Sequence, residues 1–136
     1  MIRKYKDGDA LKVDVQDEQK VEAKFNAKFF DSIVAYSVVE NEKVLGVFGF
    51  EVVDEKAYCF ALLGKYMQSK MYEFVKFVKR KIELELSEKN VSKVLFSVKE
   101  EFFNARRMAE ILGFYEVAKL PLFFNGENYL VYERKE

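Results

Sequence analysis

The chain of 136 residues contains no histidine and a single cysteine, Cys59. The lack of histidine excludes Ser-His and Cys-His nucleophile pairs and removes the commonest metal ligand. A zinc site would need carboxylates almost alone, which is an unusual ligand set for that metal. We therefore expect neither triad hydrolysis nor a structural metal. Cys59 cannot form a disulfide within the chain, and we expect it to be a small buried hydrophobic residue.

The charges cancel, and long apolar runs are missing. Lys and Arg together number 23, as do Asp and Glu, so no overall positive field attracts nucleic acid or an anionic membrane. No apolar stretch approaches the roughly 20 residues that cross a bilayer, and the N-terminus lacks the apolar core of a signal peptide. We expect a soluble, cytoplasmic protein with no membrane partner.

The abundant residues are those that build a core. Hydrophobic residues make up 50% of the chain and include 14 Phe and 8 Tyr, whereas disordered chains are poor in such residues. A globule of this length buries roughly two thirds of the surface that its unfolded chain exposes. The composition predicts one domain spanning residues 1–136, without a repeat or a linker.

The N-terminal part predicts one strand and three short helices. Residues 2–5 form the strand, and Asp7 is the predicted N-cap of a brief helix. A second helix begins at Asp17, where acidic residues precede lysines, as the helix dipole favours. A third follows Asn26, because Phe29 and the apolar residues after it recur at helical spacing.

An antiparallel meander of three strands comes next. Its strands are rich in β-branched and aromatic residues and cover residues 35–40, 44–53 and 58–63. The reversals lie at Asn41-Glu42 and Asp54-Glu55. Gly46 and Gly49 interrupt the middle strand, where glycine marks a bulge or a close approach. Packing against a phenylalanine of a neighbouring strand is the favoured explanation, and a ligand contact is the alternative.

A long amphipathic helix then spans residues 65–86. Its apolar stripe, which we expect to face the sheet, comprises Met67, Met71, Phe74, Val75, Val78, Ile82 and Leu86. Its basic residues are Lys76, Lys79, Arg80 and Lys81. Glutamates follow closely and cancel their field, which favours a solvated face over phosphate or nucleic-acid contact. The strand at 91–98 would lie parallel to the strand before the helix and complete a βαβ unit.

The C-terminal part predicts a helix and a hairpin. The helix spans residues 104–112 and is ended by Gly113. Strands at 115–124 and 128–133 flank Asn125-Gly126, the strongest two-residue hairpin signal in the sequence. Pro121 indicates an edge strand or a bulge. Phe123 and Phe124 are expected as core and rim of the hairpin, with an exposed aromatic tip as the alternative.

This order of elements resembles the fold of the GNAT acetyltransferases. The segment FFNARRMAEILGF at residues 102–114 is similar to the late helix of that family, with Ala105 and Gly113-Phe114 in matching places. The resemblance implies an α+β fold in three layers. Its mixed central sheet would have six to seven strands, with an antiparallel N-terminal meander, a parallel β4/β5 pair joined by a long helix, and a C-terminal hairpin.

Two functional features of that family are missing. Its enzymes carry a Gln/Arg-x-x-Gly-x-Gly/Ala loop, in which backbone N–H groups hold the pyrophosphate of coenzyme A. The corresponding residues here are GKYMQSKM, of which only Gly64 fits, and Tyr66 and Met67 would fill the phosphate space. The family's asparagine position aligns with Phe102, and the position of its phenol general acid aligns with Ala109, although Asn104 and Tyr115 lie nearby.

A narrower resemblance is to the small GNAT-like internal virion or scaffolding-type proteins of T7-like bacteriophages. It lies in the ordered segments DVQDEQKVEA, VLGVFGFEV, FALLG, FVKFVKRK and LGF and the aromatic closing hairpin. It implies a non-catalytic protein of the host cytoplasm or the virion, which acts through protein interactions in virion assembly or DNA delivery. The partners would be virion proteins or, through an exposed edge strand, a second copy of the chain.

The alternative is an acyl-CoA-dependent N-acetyltransferase with a divergent loop, for which acetyl-CoA is the cofactor. The candidate cofactor-binding residues are Ala61, Leu62, Leu63, Gly64, Lys65 and Lys70. Splayed strands at 61–63 and 95–97 would admit pantetheine, and the lysines would replace the missing backbone donors. Glu51 or Tyr58 could relay a proton, but no catalytic residue is assigned. A nucleic-acid-binding protein using the basic helix is a distant third.

Overall fold

The computed structural model describes residues 1–15, 20, 29–88 and 91–135. These residues form the strands β1 (Ile2–Lys4), β2 (Val34–Glu40), β3 (Lys43–Val53), β4 (Lys56–Leu63), β5 (Lys93–Lys99), β6 (Tyr115–Phe124) and β7 (Glu127–Lys135). They also form the helices α1 (Met71–Glu88) and α2 (Phe103–Ile111) and 3₁₀ helices at Asp9–Lys12, Phe29–Ser32 and Gln68–Lys70. The predicted helix from Asp17 and the predicted cap at Asn26 lie outside the described residues.

The seven strands belong to one mixed sheet, in the order β1-β2-β3-β4-β5-β7-β6. β4 and β5 are parallel, whereas the pairs β1/β2, β2/β3, β5/β7 and β6/β7 are antiparallel. The predicted α+β class, with its parallel pair and closing hairpin, is confirmed. The chain divides into two compact units, Met1–Glu51 with Phe60–Lys76 and Val52–Cys59 with Phe77–Glu136. The single domain of residues 1–136 stays a prediction.

Two-residue turns join the strands of the meander. Asn41-Glu42 has φ values of 51° and 65°, and Asp54-Glu55 has φ values of 49° and 65°. Positive φ at both central residues is the conformation of a type I′ turn, whose twist matches that of the flanking strands. Both predicted reversals are therefore confirmed.

The glycines of β3 lie where neighbouring atoms come close. A Cβ added to Gly46 would lie 3.1 Å from the sulfur of Met67, and one added to Gly49 would lie 2.7 Å from Cδ1 of Ile33. The register of β2 with β3 also shifts opposite Gly46, as a bulge would require. The expected close approach is present, but the neighbours are Met67 and Ile33 rather than a phenylalanine.

The first 3₁₀ helix begins at Asp9, so the predicted N-cap at Asp7 is wrong. Gly8 precedes the helix with a φ of 89°, and the hydroxyl of Tyr5 accepts a hydrogen bond from the N–H of Ala10 in its first turn at 3.2 Å. The chain reverses at Gly8 because glycine adopts positive φ without steric cost. The carboxylate of Asp9, rather than that of Asp7, accepts a hydrogen bond from the N–H of Lys6 at 2.9 Å.

Two predicted helices are shorter than expected. The helix that contains Phe29 is a 3₁₀ helix ending at Ser32, because the β-branched Val34 already starts β2. The long helix begins at Met71 rather than at Lys65, since a turn and a 3₁₀ helix occupy the residues between them. Five residues of its predicted stripe are buried: Met67, Phe74, Val78, Ile82 and Leu86.

Asp9 is the centre of a buried polar cluster in the first unit. Its carboxylate accepts hydrogen bonds from the guanidinium of Arg3 at 2.7 and 3.2 Å, from the N–H of Lys6 and from the Ser37 hydroxyl at 2.7 Å. Its residue exposure is 0%. Burial acts to raise the pKa of Asp9, but the hydrogen bonds outweigh burial and lower that pKa to about 2. The carboxylate therefore stays ionised at neutral pH.

An apolar core of the first unit surrounds Val47, which is fully buried at the middle of β3. Its buried members are Ala10, Val13, Val15, Phe30, Ala35, Val44, Val47 and Leu62. The ring of Phe48 also meets that of Phe74 edge to face, with centroids 6.4 Å apart. Such edge-to-face contacts suit the ring quadrupoles.

The second unit contains α2 and the closing hairpin. Gly113 ends α2 with a φ of 90°, and the N–H of Phe114 reaches back to the carbonyl of Ala109 at 2.9 Å. Asn125 and Gly126 have φ values of 51° and 72°. The predicted C-cap and type I′ hairpin turn are therefore confirmed.

The strand β6 is an edge strand whose pairing with β7 is irregular between Leu120 and Phe124. This agrees with the edge position and bulge predicted from Pro121. Phe123 is 61% exposed, so it belongs to an exposed aromatic tip rather than to the core. Cys59, by contrast, is buried as expected.

No helix among the described residues has the length and the apolar composition needed to cross a membrane. The same residues contain no group of three His, Cys, Asp or Glu side chains placed to hold a metal ion. The expected absence of a structural metal stays a prediction.

Candidate functional site

Backbone hydrogen bonds hold the chain from two sides where it leaves β4. The N–H of Gly64 donates to the carbonyl of Leu45 at 2.8 Å, and the N–H of Lys65 donates to the carbonyl of Asp14 at 2.8 Å. Gly64 also forms an isolated antiparallel bridge with Val15. The position of the turn that leads into α1 is therefore defined by backbone hydrogen bonds from two other segments.

Gly64 has no room for a side chain. A Cβ added there would collide with the carbonyl oxygen of Leu45 and would lie 3.3 Å from Cγ1 of Val13. The colliding atom belongs to the backbone of β3, which cannot rotate away as a side chain can. Close packing alone therefore accounts for the glycine at this position.

The two bulky residues after Gly64 point in different directions. Met67 is buried, with its sulfur beside Gly46 of β3. Tyr66 is 67% exposed. The thioether of Met67 therefore occupies the interior of the first unit, not the surface at the start of the helix.

Three backbone N–H groups near the start of α1 are left with no acceptor among the described residues. They belong to Tyr66, Gln68 and Ser69. The intervening N–H of Met67, by contrast, donates to the carbonyl of Gly64 at 3.2 Å. Unpaired N–H groups and the helix dipole give the N-terminus of a helix a partial positive charge.

An open cavity of about 710 Å³ lies at this end of the helix. Its lining residues are Glu40, Asn41, Lys43, Leu45, Lys65, Tyr66, Gln68 and Ser69. A second cavity of about 470 Å³ shares Lys43, Leu45 and Tyr66 with it and is also lined by Asp14 and Glu42. Both cavities belong to the first unit. The first presents two lysines and one glutamate to solvent, so its side chains carry a net positive charge.

Solved structures similar to this backbone include GNAT-family enzymes. The acetyltransferase of that family from Bacillus anthracis matches 98% of this chain and 93% of its own, with 12% identity and a TM-score of 0.72. A variant of spermidine N-acetyltransferase from Vibrio cholerae matches 99% and 94%, with 15% identity and a TM-score of 0.66. The chain has a GNAT-like fold. The ribosomal-protein-S5-alanine acetyltransferase from Vibrio fischeri matches 98% and 91%, with 12% identity and a TM-score of 0.69.

Identities this low establish the GNAT-like fold and nothing finer. No family model matches the sequence, and no curated protein matches it significantly. The neighbours named above are acetyltransferases, and none of these comparisons supports the resemblance to phage virion proteins.

The structure brings only part of the predicted cofactor site of this GNAT-like fold to the cavity. Lys65 lines it, whereas the side chains of Leu62 and Leu63 are buried in the interior. Ala61 and Lys70 are half-buried and line neither cavity. The binding roles of these six residues, Gly64 among them, stay predictions.

Part of the segment 95–97, which is predicted to splay away from β4, is paired with β4 instead. Tyr58 pairs with Leu95, and Cys59 pairs with Phe96, in the parallel register of β4 and β5. Glu51 and Tyr58, the two candidate proton relays, are both exposed. Among the described residues, neither makes a side-chain hydrogen bond or an ion pair that distinguishes it as a base.

The two residues that the sequence resemblance aligns with catalytic positions of GNAT enzymes are buried and apolar. Phe102 and Ala109 are 2% and 1% exposed. The hydroxyl of the nearby Tyr115 donates to Oε2 of Glu133 at 3.3 Å. The salt bridge with Lys93, with lesser help from Tyr115, lowers the pKa of Glu133. This arrangement pairs Tyr115 with a carboxylate and does not place it in either cavity.

Sequence reasoning missed Lys43, Gln68 and Ser69. The helical spacing of the sequence places the last two inside a longer helix. The sequence did contain a usable signal, because serine is common at helix starts and rarer in helix interiors. Lys43 could not have been found in this way, since only the pairing of the strands brings the start of β3 beside the turn after β4.

Proposed function

We propose that this protein is an acyl-CoA-dependent N-acyltransferase that uses acetyl-CoA. The observation that carries the proposal is the pair of N–H groups of Gln68 and Ser69, which have no acceptor among the described residues and lie beside Lys65 and Lys43 at an open cavity. The acetyltransferase names of the structural neighbours support the same reaction class.

The residues present fit a phosphate group, although the glycine-rich loop is missing. Backbone N–H groups at a helix N-terminus are suited to anions, and a nearby ammonium group strengthens the attraction. The inward position of Met67 removes one of the two bulky side chains that the sequence predicted at this point, whereas the exposed Tyr66 lines the cavity. Glu40, whose Cα pairs with that of Lys43, is the one carboxylate among the described residues that line this cavity, and it would oppose an anion. Gln68, Ser69, Lys65 and Lys43 are therefore the residues that would hold the pyrophosphate.

The acceptor would be an amine. Bound acetyl-CoA supplies an activated thioester, and the protein then contributes chiefly by positioning the reactants. One structural neighbour is named for spermidine and another for an alanine of a ribosomal protein, both of which offer an amine. The buried Ala109 rules out a phenol donor at the family's usual position, so we assign no general acid.

Titration calorimetry with acetyl-CoA tests this function. We expect a dissociation constant below about 100 μM and a raised melting temperature at about 1 mM ligand, because ligand bound to the folded state stabilises it by about 1.4 kcal/mol under those conditions. Complete absence of binding would contradict the proposal. It would leave the non-catalytic and the nucleic-acid-binding interpretations of the sequence.

The variant Lys65→Glu locates the binding site. Reversing this exposed charge beside the phosphate donors should weaken acetyl-CoA binding about tenfold, which corresponds to about 1.4 kcal/mol. Lys79→Glu is the matched control, since Lys79 is an exposed lysine in the middle of α1 and lines neither cavity. Equal affinities of the two variants would place the cofactor elsewhere.

A further inference from the structure

No strand among the described residues pairs with the outer edge of β6. β6 ends the strand order, and all of its ten residues except Leu120 and Phe124 are exposed. Exposed apolar side chains of this strand are Tyr115, Val117, Leu122 and Phe123. An edge strand of this length presents backbone N–H and C=O groups that can pair with another strand.

Only the first part of this edge is suited to pairing. Pro121 has no N–H to donate, and Leu122 has a φ of 50°, which an extended strand does not allow. The pairing with β7 is also irregular from Leu120 to Phe124. The usable edge is therefore Tyr115 to Leu120.

A bulge places two opposite charges on the same face of this segment. Glu116 pairs with Tyr132 of β7 and Lys119 pairs with Leu130, and the register shifts by one residue at Val117 between them. In a regular strand, residues three apart point to opposite faces. Here the extra residue brings both side chains to one face.

This arrangement makes the segment complementary to itself. In an antiparallel pair related by a two-fold axis, facing residues lie on the same face of the sheet. An axis through Ala118 would set Glu116 opposite Lys119 of the second copy, and Lys119 opposite Glu116. It would also set Tyr115 opposite Leu120 of the second copy, since both lie on the other face. Opposite charges and apolar side chains in facing positions stabilise strand pairs.

We propose that β6 pairs antiparallel with β6 of a second copy of this chain, about a two-fold axis at Ala118, to form a homodimer. Lys119 already lies 3.0 Å from Oε2 of Glu100. Because an ammonium group has three donors, it can contact both that carboxylate and Glu116 of the second copy. The proposal does not depend on acetyl-CoA.

The pairing is short, so the dimer should dissociate on dilution. Six residues a side bury less than the roughly 800 Å² per partner of a standard stable interface. We expect a dissociation constant on the order of 10 to 100 μM. Sedimentation velocity across that range should show a shift from monomer to dimer. A monomer at every concentration up to about 500 μM would overturn the proposal.

Charge reversal then tests the register. Glu116→Lys would set Lys against Lys at both positions, and Lys119→Glu would set Glu against Glu, so each variant alone should be monomeric. A 1:1 mixture restores two opposite-charge pairs and should form a heterodimer. If either variant still dimerised alone as the wild type does, or if the mixture stayed monomeric, the proposed register would be wrong.

Three further variants complete the test. The double variant Glu116→Lys/Lys119→Glu restores complementarity within one chain and should dimerise like the wild type, which covers the case in which a single variant folds poorly. Glu73→Lys and Lys79→Glu reverse exposed charges on α1, outside β6. Each of these controls should dimerise alone, and a loss of dimer in either one would contradict an interface at β6.

Discussion

Replacing Gly64 with alanine should destabilise the protein by about 3 kcal/mol or more, the upper end of the cost of overpacking a rigid site. The added Cβ collides with the carbonyl oxygen of Leu45. That carbonyl also accepts the hydrogen bond from the N–H of Gly64, so relieving the collision breaks the bond. Urea unfolding of the wild type and the variant measures the difference.

The matched control for Gly64 is Gly126→Ala in the hairpin turn. Gly126 has a φ of 72°, and a Cβ added to it meets nothing within 4 Å. Its replacement therefore costs only the conformational strain of positive φ, about 1 kcal/mol. A loss at Gly64 no larger than the loss at Gly126 would contradict the close packing of β3 against the turn after β4.

The second large effect is expected for Asp9→Ala, which should lower the free energy of unfolding by about 3 kcal/mol. The substitution leaves the guanidinium of Arg3 without its carboxylate and the buried Ser37 hydroxyl without its acceptor. Asp7→Ala is the control, because Asp7 is an exposed carboxylate two residues away. Equal losses for the two variants would show that the buried cluster contributes no more than an ordinary surface charge.

The same cluster predicts a pH dependence of stability. The pKa of Asp9 is lowered to about 2 in the folded protein, whereas an unfolded aspartate titrates near about 4. Its contribution is therefore complete above about pH 4 and is lost as the pH falls towards 2. Unfolding measured between about pH 6 and pH 2.5 should give a steeper acid loss for the wild type than for Asp9→Ala. Identical acid profiles would exclude a low pKa for Asp9.

Local signals predicted the turns well. Asn125-Gly126 and Gly113 were read correctly because positive φ is a property of a few residues and needs no distant partner. Helical spacing also predicted the buried positions along α1, because this spacing alone determines which residues share a face. The order of these elements was enough to suggest the GNAT-like fold.

The candidate site was harder to predict because its features depend on distant contacts. Met67 was expected to block the site, and only the close approach of Gly46 explains why it turns inward. The Gln68 and Ser69 amides stand out only once every other hydrogen bond of the turn is assigned. Asp7 and Asp9 illustrate the same limit, since either could cap a helix by sequence and only Asp9 meets Arg3 and Ser37.

Amide chemical shifts can show whether acetyl-CoA is held at the start of α1. In ¹H–¹⁵N correlation spectra recorded during an acetyl-CoA titration, we expect the largest changes at the amides of Gln68 and Ser69. Smaller changes are expected at Lys65 and Lys43, and almost none at Glu127 in the second unit. Shifts confined to other parts of the chain, or a spectrum unchanged at millimolar ligand, would show that acetyl-CoA does not bind at this turn.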